Sequence, residues 1–252
     1  MRGRVCALAA CLLLPFGAQM GHAQAALVAA RRQVESADYR LNGRLVRVDA
    51  NGVRTTDNLQ IKARWFPGVL RILLEITSPA AARAHVLLEV RADGRSTIRI
   101  AHPGDAAATE LPFSKWMEEP LGEAFSYEDF LDAQYFWASQ KDLGQAKIGA
   151  RMCDQLLSTP GPGERSHYAS VRSWLDPASG FPVYVEKQVK DSEDLKQFTF
   201  FGLRKTRNVW WASQVEAKIR GRAGSTLLIV DRGSPQAHLG LQDFDSARLT
   251  HF

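Results

Sequence analysis

The chain has 252 residues, of which 45% are hydrophobic and 23% are charged, and its formal net charge is +5 at neutral pH. An apolar fraction of this size supports a buried core of one domain and excludes an intrinsically disordered chain. The excess of positive charge is small, whereas a nucleic-acid-binding protein concentrates Lys and Arg on one face. We therefore expect no nucleic-acid partner.

Residues 1–25 are predicted to be a cleaved signal peptide. A basic start is followed by an apolar run over 5–16 and by small residues before two candidate cleavage points, Ala23 and Ala25. The run is too short to span a bilayer. The sequence LAAC also resembles a lipobox, but only about six apolar residues precede its cysteine, below the roughly 7–15 of an ordinary signal. We expect a periplasmic monomer in which residues 26–252 form a single domain.

A short helix is predicted at 26–37, after which apolar and polar residues alternate with a period of two. The alternation covers 59–66, 70–76, 86–91 and 96–100. This pattern is typical of antiparallel strands with one buried face and one solvated face. Asn51-Gly52 and Asp93-Gly94 predict two-residue hairpin turns, because these residue types tolerate the positive φ that such turns require.

A second helical region is predicted between residues 113 and 138. Ser126 and Asp129 have the spacing of a capping box, and Phe125 and Phe130 have the spacing of a hydrophobic staple. The helix that begins at Ser126 carries aromatic side chains on more than one side. We expect it to pack on a sheet with one face and to line an apolar cavity with another; the alternative is a helix wedged inside an ordinary core.

The second half of the chain returns to short strands. They are predicted at 143–148, 151–157, 166–175, 182–190, 196–203, 208–220 and 225–231. Ten or eleven twisted strands cannot remain a flat sheet. We therefore predict a mainly β (α+β) fold, in which a curved antiparallel sheet forms an incomplete β-barrel and helices cover its concave face.

No motif in the sequence predicts catalysis, a metal or a cofactor. The five histidines that follow the predicted signal peptide have no ligand spacing, and hydrolase and phosphate-loop motifs do not occur. His85 and His102 are expected to be surface neighbours across a hairpin, and Cys153 is expected to be a small buried hydrophobe. We expect a protein that is not an enzyme; a hydrolase built from scattered residues is the alternative.

Large apolar side chains on the strands and in the aromatic helix predict a ligand pocket, because such pockets are concave and mainly apolar. The predicted cavity residues are Trp65, Leu74, Leu88, Ile100, Trp116, Phe130, Trp137, Phe198 and Trp211. Each of them is equally compatible with a place in an ordinary core. Together they offer broad surfaces for an acyl chain.

Four segments in this order resemble the outer membrane lipoprotein-sorting protein family, the LolA-like superfamily. They are LGEAFSYEDF (121–130), the lone cysteine in CDQL (153–156), HYASVRSWLDPASGFPVYVEKQ (167–188) and DFDSARLTHF (243–252). The resemblance covers most of the chain after the predicted signal peptide. It implies an incomplete barrel with helices on its concave side, the same fold that the period-two pattern predicts.

The resemblance also implies a function. Members of this family are thought to bind lipid or lipoprotein acyl chains in the cavity, and several are associated with RND-type exporters. It implies a periplasmic carrier for outer-membrane sorting or export. The alternative is a periplasmic lipid sensor or adaptor that regulates a membrane partner, such as an RND-type inner-membrane exporter.

Overall fold

The computed structural model describes residues 19–118, 124–206 and 209–252. Most of the predicted signal peptide lies outside these ranges, so its cleavage stays a prediction. Helix α1 covers Gln19–Glu35 and includes most of the helix predicted at 26–37. Within the described ranges, no helix combines the length and the apolar character needed to cross a membrane.

Thirteen strands follow in the part of the chain that the structure describes. They are β1 Asp38–Val48, β2 Arg54–Phe66, β3 Val69–Ser78, β4 Ala84–Arg91, β5 Ser96–Ala101, β6 Thr109–Glu110, β7 Ser139–Ile148, β8 Arg151–Thr159, β9 Tyr168–Leu175, β10 Pro182–Val189, β11 Leu195–Thr206, β12 Val209–Ile219 and β13 Ser225–Pro235. Short 3₁₀ turns lie at Ala80–Ala82, Phe113–Lys115, Tyr127–Phe130, Ala133–Phe136, Leu241–Phe244 and Ser246–Thr250. Every strand predicted from the alternation is present, and β1 and β6 exceed the predicted number.

All described strands belong to one antiparallel sheet. Its order is β6-β5-β4-β3-β2-β1-β13-β12-β11-β10-β9-β8-β7. The first long strand therefore pairs with the last one in the middle of the sheet, and β6 and β7 form its two edges. The predicted fold class is confirmed: the sheet is curved, mainly antiparallel β structure, and it does not close into a barrel.

Both hairpins are present where they were predicted, but the prediction of two-residue turns was wrong: three residues lie between the paired residues Asp49 and Val53, and three between Arg91 and Arg95. Asn51-Gly52 lies between β1 and β2, and Gly52 has a φ of 80°. Asp93-Gly94 lies between β4 and β5, and Gly94 also has a φ of 80°. Glycine adopts this left-handed conformation without steric cost, which is why the positions of the hairpins could be predicted. Asn51 and Asp93 do not have the positive φ that a two-residue turn of this kind requires at both positions.

The aromatic segment after Ser126 differs from the predicted helix. It forms two 3₁₀ turns, Tyr127–Phe130 and Ala133–Phe136, because Asp132 between them adopts a left-handed conformation with a φ of 47°. Aspartate is among the few non-glycine residues that tolerate this conformation. The prediction of one continuous helix was therefore wrong.

The predicted start of this segment is confirmed. Ser126 and Asp129 form a capping box. The backbone N–H and the hydroxyl of Ser126 both donate to Oδ2 of Asp129, each at 2.8 Å. The rings of Phe125 and Phe130 stack with their centroids 5.4 Å apart, as the predicted hydrophobic staple requires.

The main hydrophobic cluster joins the sheet, helix α1 and the aromatic segment. A second cluster was not predicted, because the second face of the strands was expected to be solvated. There, Leu73 and Leu87 pack against Leu239, Phe244 and Leu249 of the C-terminal segment. The C-terminal 3₁₀ turns thus cover part of the sheet face opposite α1.

The C-terminal segment also corrects the prediction for His85. Its side chain is buried, and Nδ1 lies 2.8 Å from the carbonyl oxygen of Leu249, so His85 is not a surface residue. His102 is exposed, as predicted. Cys153 is confirmed as a buried free thiol and packs with Trp174 and Val183.

Candidate ligand-binding cavity

An apolar cavity of about 220 Å³ lies between helix α1, the aromatic segment and the strands in the middle of the sheet. Its wall includes Val34 from α1 and, from the strands, Leu41, Val185, Phe198, Phe200 and Val215. Leu41, Phe200 and Val215 keep accessible surface, unlike the closely packed residues of the core. The cavity is therefore space that the side chains of this part of the sheet do not fill.

Helix α1 is held over the cavity by polar contacts and a close approach. Nε of Arg31 donates to the carbonyl oxygen of Tyr135 at 2.7 Å, and Nε2 of Gln33 donates to that of Trp210 at 3.0 Å. A Cβ atom added to Gly180 would lie 2.4 Å from the carbonyl carbon of Ala29. A larger residue at position 180 would therefore push the helix away from the turn between β9 and β10.

Three of the nine predicted cavity residues line this cavity: Phe130, Phe198 and Trp211. The other six lie outside the cavity wall and pack in or against the main cluster. They are Trp65, Leu74, Leu88, Ile100, Trp116 and Trp137. Trp65, for example, stacks on Phe136 with ring centroids 5.4 Å apart. Binding of a ligand by any of the nine stays a prediction.

Several wall residues were missed by sequence reasoning. The period-two pattern placed Val215 on a buried face, but it gave no sign that the wall lies under β1 and β10–β13. Val34 on α1 lay in a predicted helix whose role was open. A helix with small and aliphatic residues that covers large strand residues indicates space that side chains do not fill. In this chain, that pattern occurs at α1.

One side of the cavity carries buried charge. Nζ of Lys187 lies 3.2 Å from Oδ1 of Asp129, and Nζ of Lys196 lies 3.1 Å from Oδ2. Tyr168 donates its hydroxyl to Oδ1 of Asp129 at 2.5 Å. The carboxylate of Asp129 is thus fully engaged, and we call these four residues the Asp129 cluster.

Opposing effects determine the pKa of Asp129. Burial raises it, but the positive charges of Lys196 and Lys187 and the hydrogen bonds from Tyr168 and Ser126 lower it well below its ordinary value. Asp129 is therefore ionised at neutral pH, which is the state that two buried ammonium groups require. Nζ of Lys187 also donates to the backbone carbonyl of Asp129 at 3.2 Å, so the cluster fixes the aromatic segment to β10 and β11.

Asp132 forms the second acidic group of the wall. The residue has accessible surface at the cavity, while the surrounding protein keeps its carboxylate away from bulk solvent, and the carboxylate accepts a hydrogen bond from Nε2 of Gln134 at 3.2 Å. Burial raises the pKa of Asp132, and the negative charge of Asp129 adds to this effect, while Lys187 and Gln134 oppose it. The two aspartates of one short segment are therefore shifted in opposite directions.

Glu128 connects the aromatic segment to the start of β9. Its carboxylate accepts a hydrogen bond from the hydroxyl of Ser166 at 2.5 Å, and Oε2 lies 2.8 Å from Nδ1 of His167. The ring of His167 stacks on Phe113 with centroids 3.9 Å apart. Because Ser166 donates to the carboxylate rather than to the histidine, this contact set holds structure and does not activate a nucleophile. Among the described residues, no acidic, histidine and cysteine side chains cluster as a metal site would require.

Solved structures share this architecture over nearly the whole chain. A domain described as a candidate outer membrane lipoprotein-sorting protein from Vibrio parahaemolyticus is 19% identical, with 91% of this chain and 100% of that chain covered and a TM-score of 0.80. A DUF1329 family protein from Desulfovibrio piger is 14% identical, with coverages of 90% and 98% and a TM-score of 0.79. A LolA superfamily protein from Nitrosomonas europaea is 15% identical, with coverages of 88% and 97% and a TM-score of 0.64.

These likenesses define the class of fold: an open, curved sheet of the LolA-like type. The predicted resemblance to the LolA-like superfamily is confirmed at the level of fold. A family model described as an uncharacterized protein matches residues 68–251, and the chain belongs to that family. No curated protein matches the chain.

Proposed function

We propose that the protein is a periplasmic carrier that holds the acyl chain of a lipid or lipoprotein in the cavity under α1. The observation that carries this proposal is the unfilled apolar space of about 220 Å³, walled by Leu41, Phe200 and Val215 among others. Ligand sites are concave and mainly apolar with a few polar groups, and this wall has that composition. Among the described residues, the charged groups on the wall belong to the Asp129 cluster, with the exception of Asp132.

The energetics of such binding need no specific hydrogen bond. Each methylene removed from water contributes about 0.8 kcal/mol, so a chain of about a dozen carbons gives on the order of 10 kcal/mol before the entropic costs of binding. Loose specificity for chain type follows, because the interaction is proportional to area and has little direction. The likeness to a candidate lipoprotein-sorting domain and to a LolA superfamily protein supports a role in outer-membrane sorting or export.

The first test is uptake of a fluorescent fatty acid by the protein without residues 1–25. Saturable uptake is expected in the wild type. Val215→Trp puts a larger side chain on the cavity wall and should reduce uptake at least tenfold, whereas Thr55→Trp adds the same ring at an exposed position of β2 and should have no effect. Absence of saturable uptake in the wild type, or equal uptake by the two variants, would refute the proposal.

A second experiment separates a carrier from a sensor or adaptor. The protein is loaded with labelled lipid and mixed with unlabelled acceptor vesicles. A carrier releases the lipid to the vesicles, whereas a sensor retains it and changes its affinity for a membrane protein. The membrane partner that we propose is an RND-type inner-membrane exporter. Crosslinking in native membranes, followed by identification of the captured protein, tests it.

A further inference from the structure

One end of the cavity wall is built from strand ends. Phe181 and Pro182 lie at the start of β10, Trp210 lies at the start of β12, and Tyr39 pairs with Pro235 where β1 begins and β13 ends. Because neighbouring strands are antiparallel, these positions lie at the same end of the strands, along one rim of the curved sheet. We call this rim, formed by strand ends and distinct from the edge strands β6 and β7, the mouth edge. The β1–β2 turn and the turn after β10 lie at the opposite edge, where the other ends of the strands are.

Two cations cover the tryptophans at the mouth edge. Arg204 pairs with Trp211 and Lys205 pairs with Trp210 across the β11–β12 hairpin. The guanidinium carbon of Arg204 lies 5.5 Å from the ring centroid of Trp211, and Nζ of Lys205 lies 5.8 Å from that of Trp210. Both tryptophans line the cavity and are half-buried, while both cations are exposed. Because successive residues of a strand alternate between its two faces, the two pairs lie on opposite faces of the hairpin, and the hairpin end beside the cavity is basic and aromatic on both.

All charged residues of this hairpin are basic. The sequence from 195 to 214, LKQFTFFGLRKTRNVWWASQ, contains Lys and Arg but neither Asp nor Glu. Within the described residues, no carboxylate lies within ion-pair distance of Arg204 or Lys205. Phe201 on the same hairpin has 43% of its surface exposed. The surface thus combines unpaired positive charge with exposed and half-exposed aromatic rings.

We propose that the mouth edge of the β11–β12 hairpin docks on an anionic lipid bilayer surface. Tryptophan prefers the bilayer interface, and basic side chains are attracted to anionic headgroups. Docking of this edge brings the cavity wall to headgroup depth, so that an acyl chain passes between bilayer and cavity without crossing water. This inference goes beyond lipid binding, because a cavity protein can also receive its cargo from another protein.

The test is flotation of the chain without residues 1–25 with protein-free vesicles. One set contains phosphatidylethanolamine and phosphatidylglycerol, and the other contains phosphatidylcholine only. The wild type should bind the anionic set, and binding should weaken as salt is raised. The pair Arg204→Ser and Lys205→Ser should weaken binding about 25-fold, since each basic residue near an anionic surface contributes about fivefold in affinity.

The matched control removes two exposed basic residues at the opposite edge, Arg54→Ser and Lys190→Ser, and should bind as the wild type does. Phe201→Ser tests the aromatic part and should weaken binding without changing its salt dependence. Fatty-acid uptake without vesicles, measured on every variant, shows whether the fold and cavity survive, so a failure of docking is distinct from a failure of the carrier proposal.

Four results would overturn the docking proposal, and three of them come first. They are no binding to anionic vesicles, equal losses in the two charge pairs, and binding that appears only with native membranes and disappears after protease treatment. The last result would assign the surface to a membrane protein. Equal binding to both vesicle sets would also contradict it, because the basic residues would then have no role.

Discussion

The concave side of the sheet has two regions with the same strand pattern and different packing. Under β3–β5, Leu74, Leu88 and Ile98 are completely buried in the main cluster. Under β1 and β11–β12, Leu41 and Val215 keep accessible surface and line the cavity. The polypeptide that covers each region explains the difference.

The filled region is covered by the chain that follows β5. Leu111 donates its backbone N–H to the carbonyl of Ile98, and the buried Trp116 donates its indole N–H to the carbonyl of Leu111 at 3.1 Å. The open region is covered by the aromatic segment and by α1, which presents the small side chains of Ala30 and Val34 to the cavity. The size of the covering side chains, and not the pattern of the strands, decides whether an apolar face becomes core or cavity.

The largest effect is expected in the Asp129 cluster, which borders the open region. Asp129→Ala leaves Lys187 and Lys196 buried without a counter-charge, and breaking a buried ion pair in this way costs about 3–5 kcal/mol. The free energy of unfolding, measured in urea, should fall by this amount. Asp132→Asn, a change in the same segment outside the cluster, is the control. Equal losses in both variants would show that the cluster does not hold the segment.

A pair of truncations tests the two regions directly. Leu88→Ala removes a fully buried side chain and should lower the free energy of unfolding by about 2–5 kcal/mol. Phe200→Ala removes a larger side chain that already borders empty space, so it should cost less than Leu88→Ala. Fatty-acid uptake should change in the opposite order, with the larger effect in Phe200→Ala. Equal stability losses from urea unfolding would contradict the distinction between a filled and an open region.

Ser126→Ala tests the start of the aromatic segment. Loss of a capping residue costs typically about 1 kcal/mol, and the hydroxyl of Ser126 is buried against Asp129. The urea midpoint should move accordingly. Ser139→Ala, at an exposed position at the start of β7, should leave it unchanged. A midpoint equal to that of the wild type would mean that the capping box is not needed.

The smallest effect is a pH dependence with opposite signs at two neighbouring aspartates. The pKa of Asp132 is raised in the folded protein, so its contribution to stability is fully present below the ordinary aspartate pKa and is lost as pH rises through the raised value. The pKa of Asp129 is lowered, so its contribution is present above the ordinary value and is lost as pH falls through the lowered one.

Asp132→Asn isolates the smaller of these effects. Unfolding of this variant and of the wild type is compared in urea from pH 3 to pH 8. The groups that interact with Asp132 all remain in the variant; they are Lys187, Asp129, Gln134, Tyr39 and Tyr135. Relative to the wild type, the variant should gain stability as pH rises above the ordinary aspartate range. A constant difference between the two proteins would show that Asp132 titrates normally.

Strand positions, the positions of the two hairpins and the capping box could be predicted, because each depends on residues near one another in sequence. The wall of the cavity could not be predicted in the same way. Alternation assigns Leu74 and Val215 alike to a buried face, but what lies opposite them comes from chain far away in sequence. The left-handed Asp132 was also missed, since aspartate tolerates this conformation without requiring it.

Two further features depend on distant contacts. Leu73 and Leu87 read as solvent-side positions of amphipathic strands, and only the C-terminal segment around Phe244 buries them. Lys187 is in phase with Val185 and Lys196 is in phase with Phe198, so both lysines lie on the buried face of their strands, and the alternation gives no counter-charge for them. Their burial follows from the position of Asp129, which is nearly 60 residues before Lys187. A pattern within one strand contains no information about such a partner.

The pairing of β1 with β13 has a consequence for how the chain folds after synthesis. This ladder is the sheet connection between the strands before residue 110 and those after residue 139, and it joins residues as distant as Arg44 and Asp231, which are 187 positions apart. Contacts of such long range slow folding, because the chain must close a large loop first. The two halves cannot form one sheet until the last strand has been made. A chain that emerges slowly from a membrane channel would therefore remain incompletely folded, without its cavity, until its C-terminal strand has passed through.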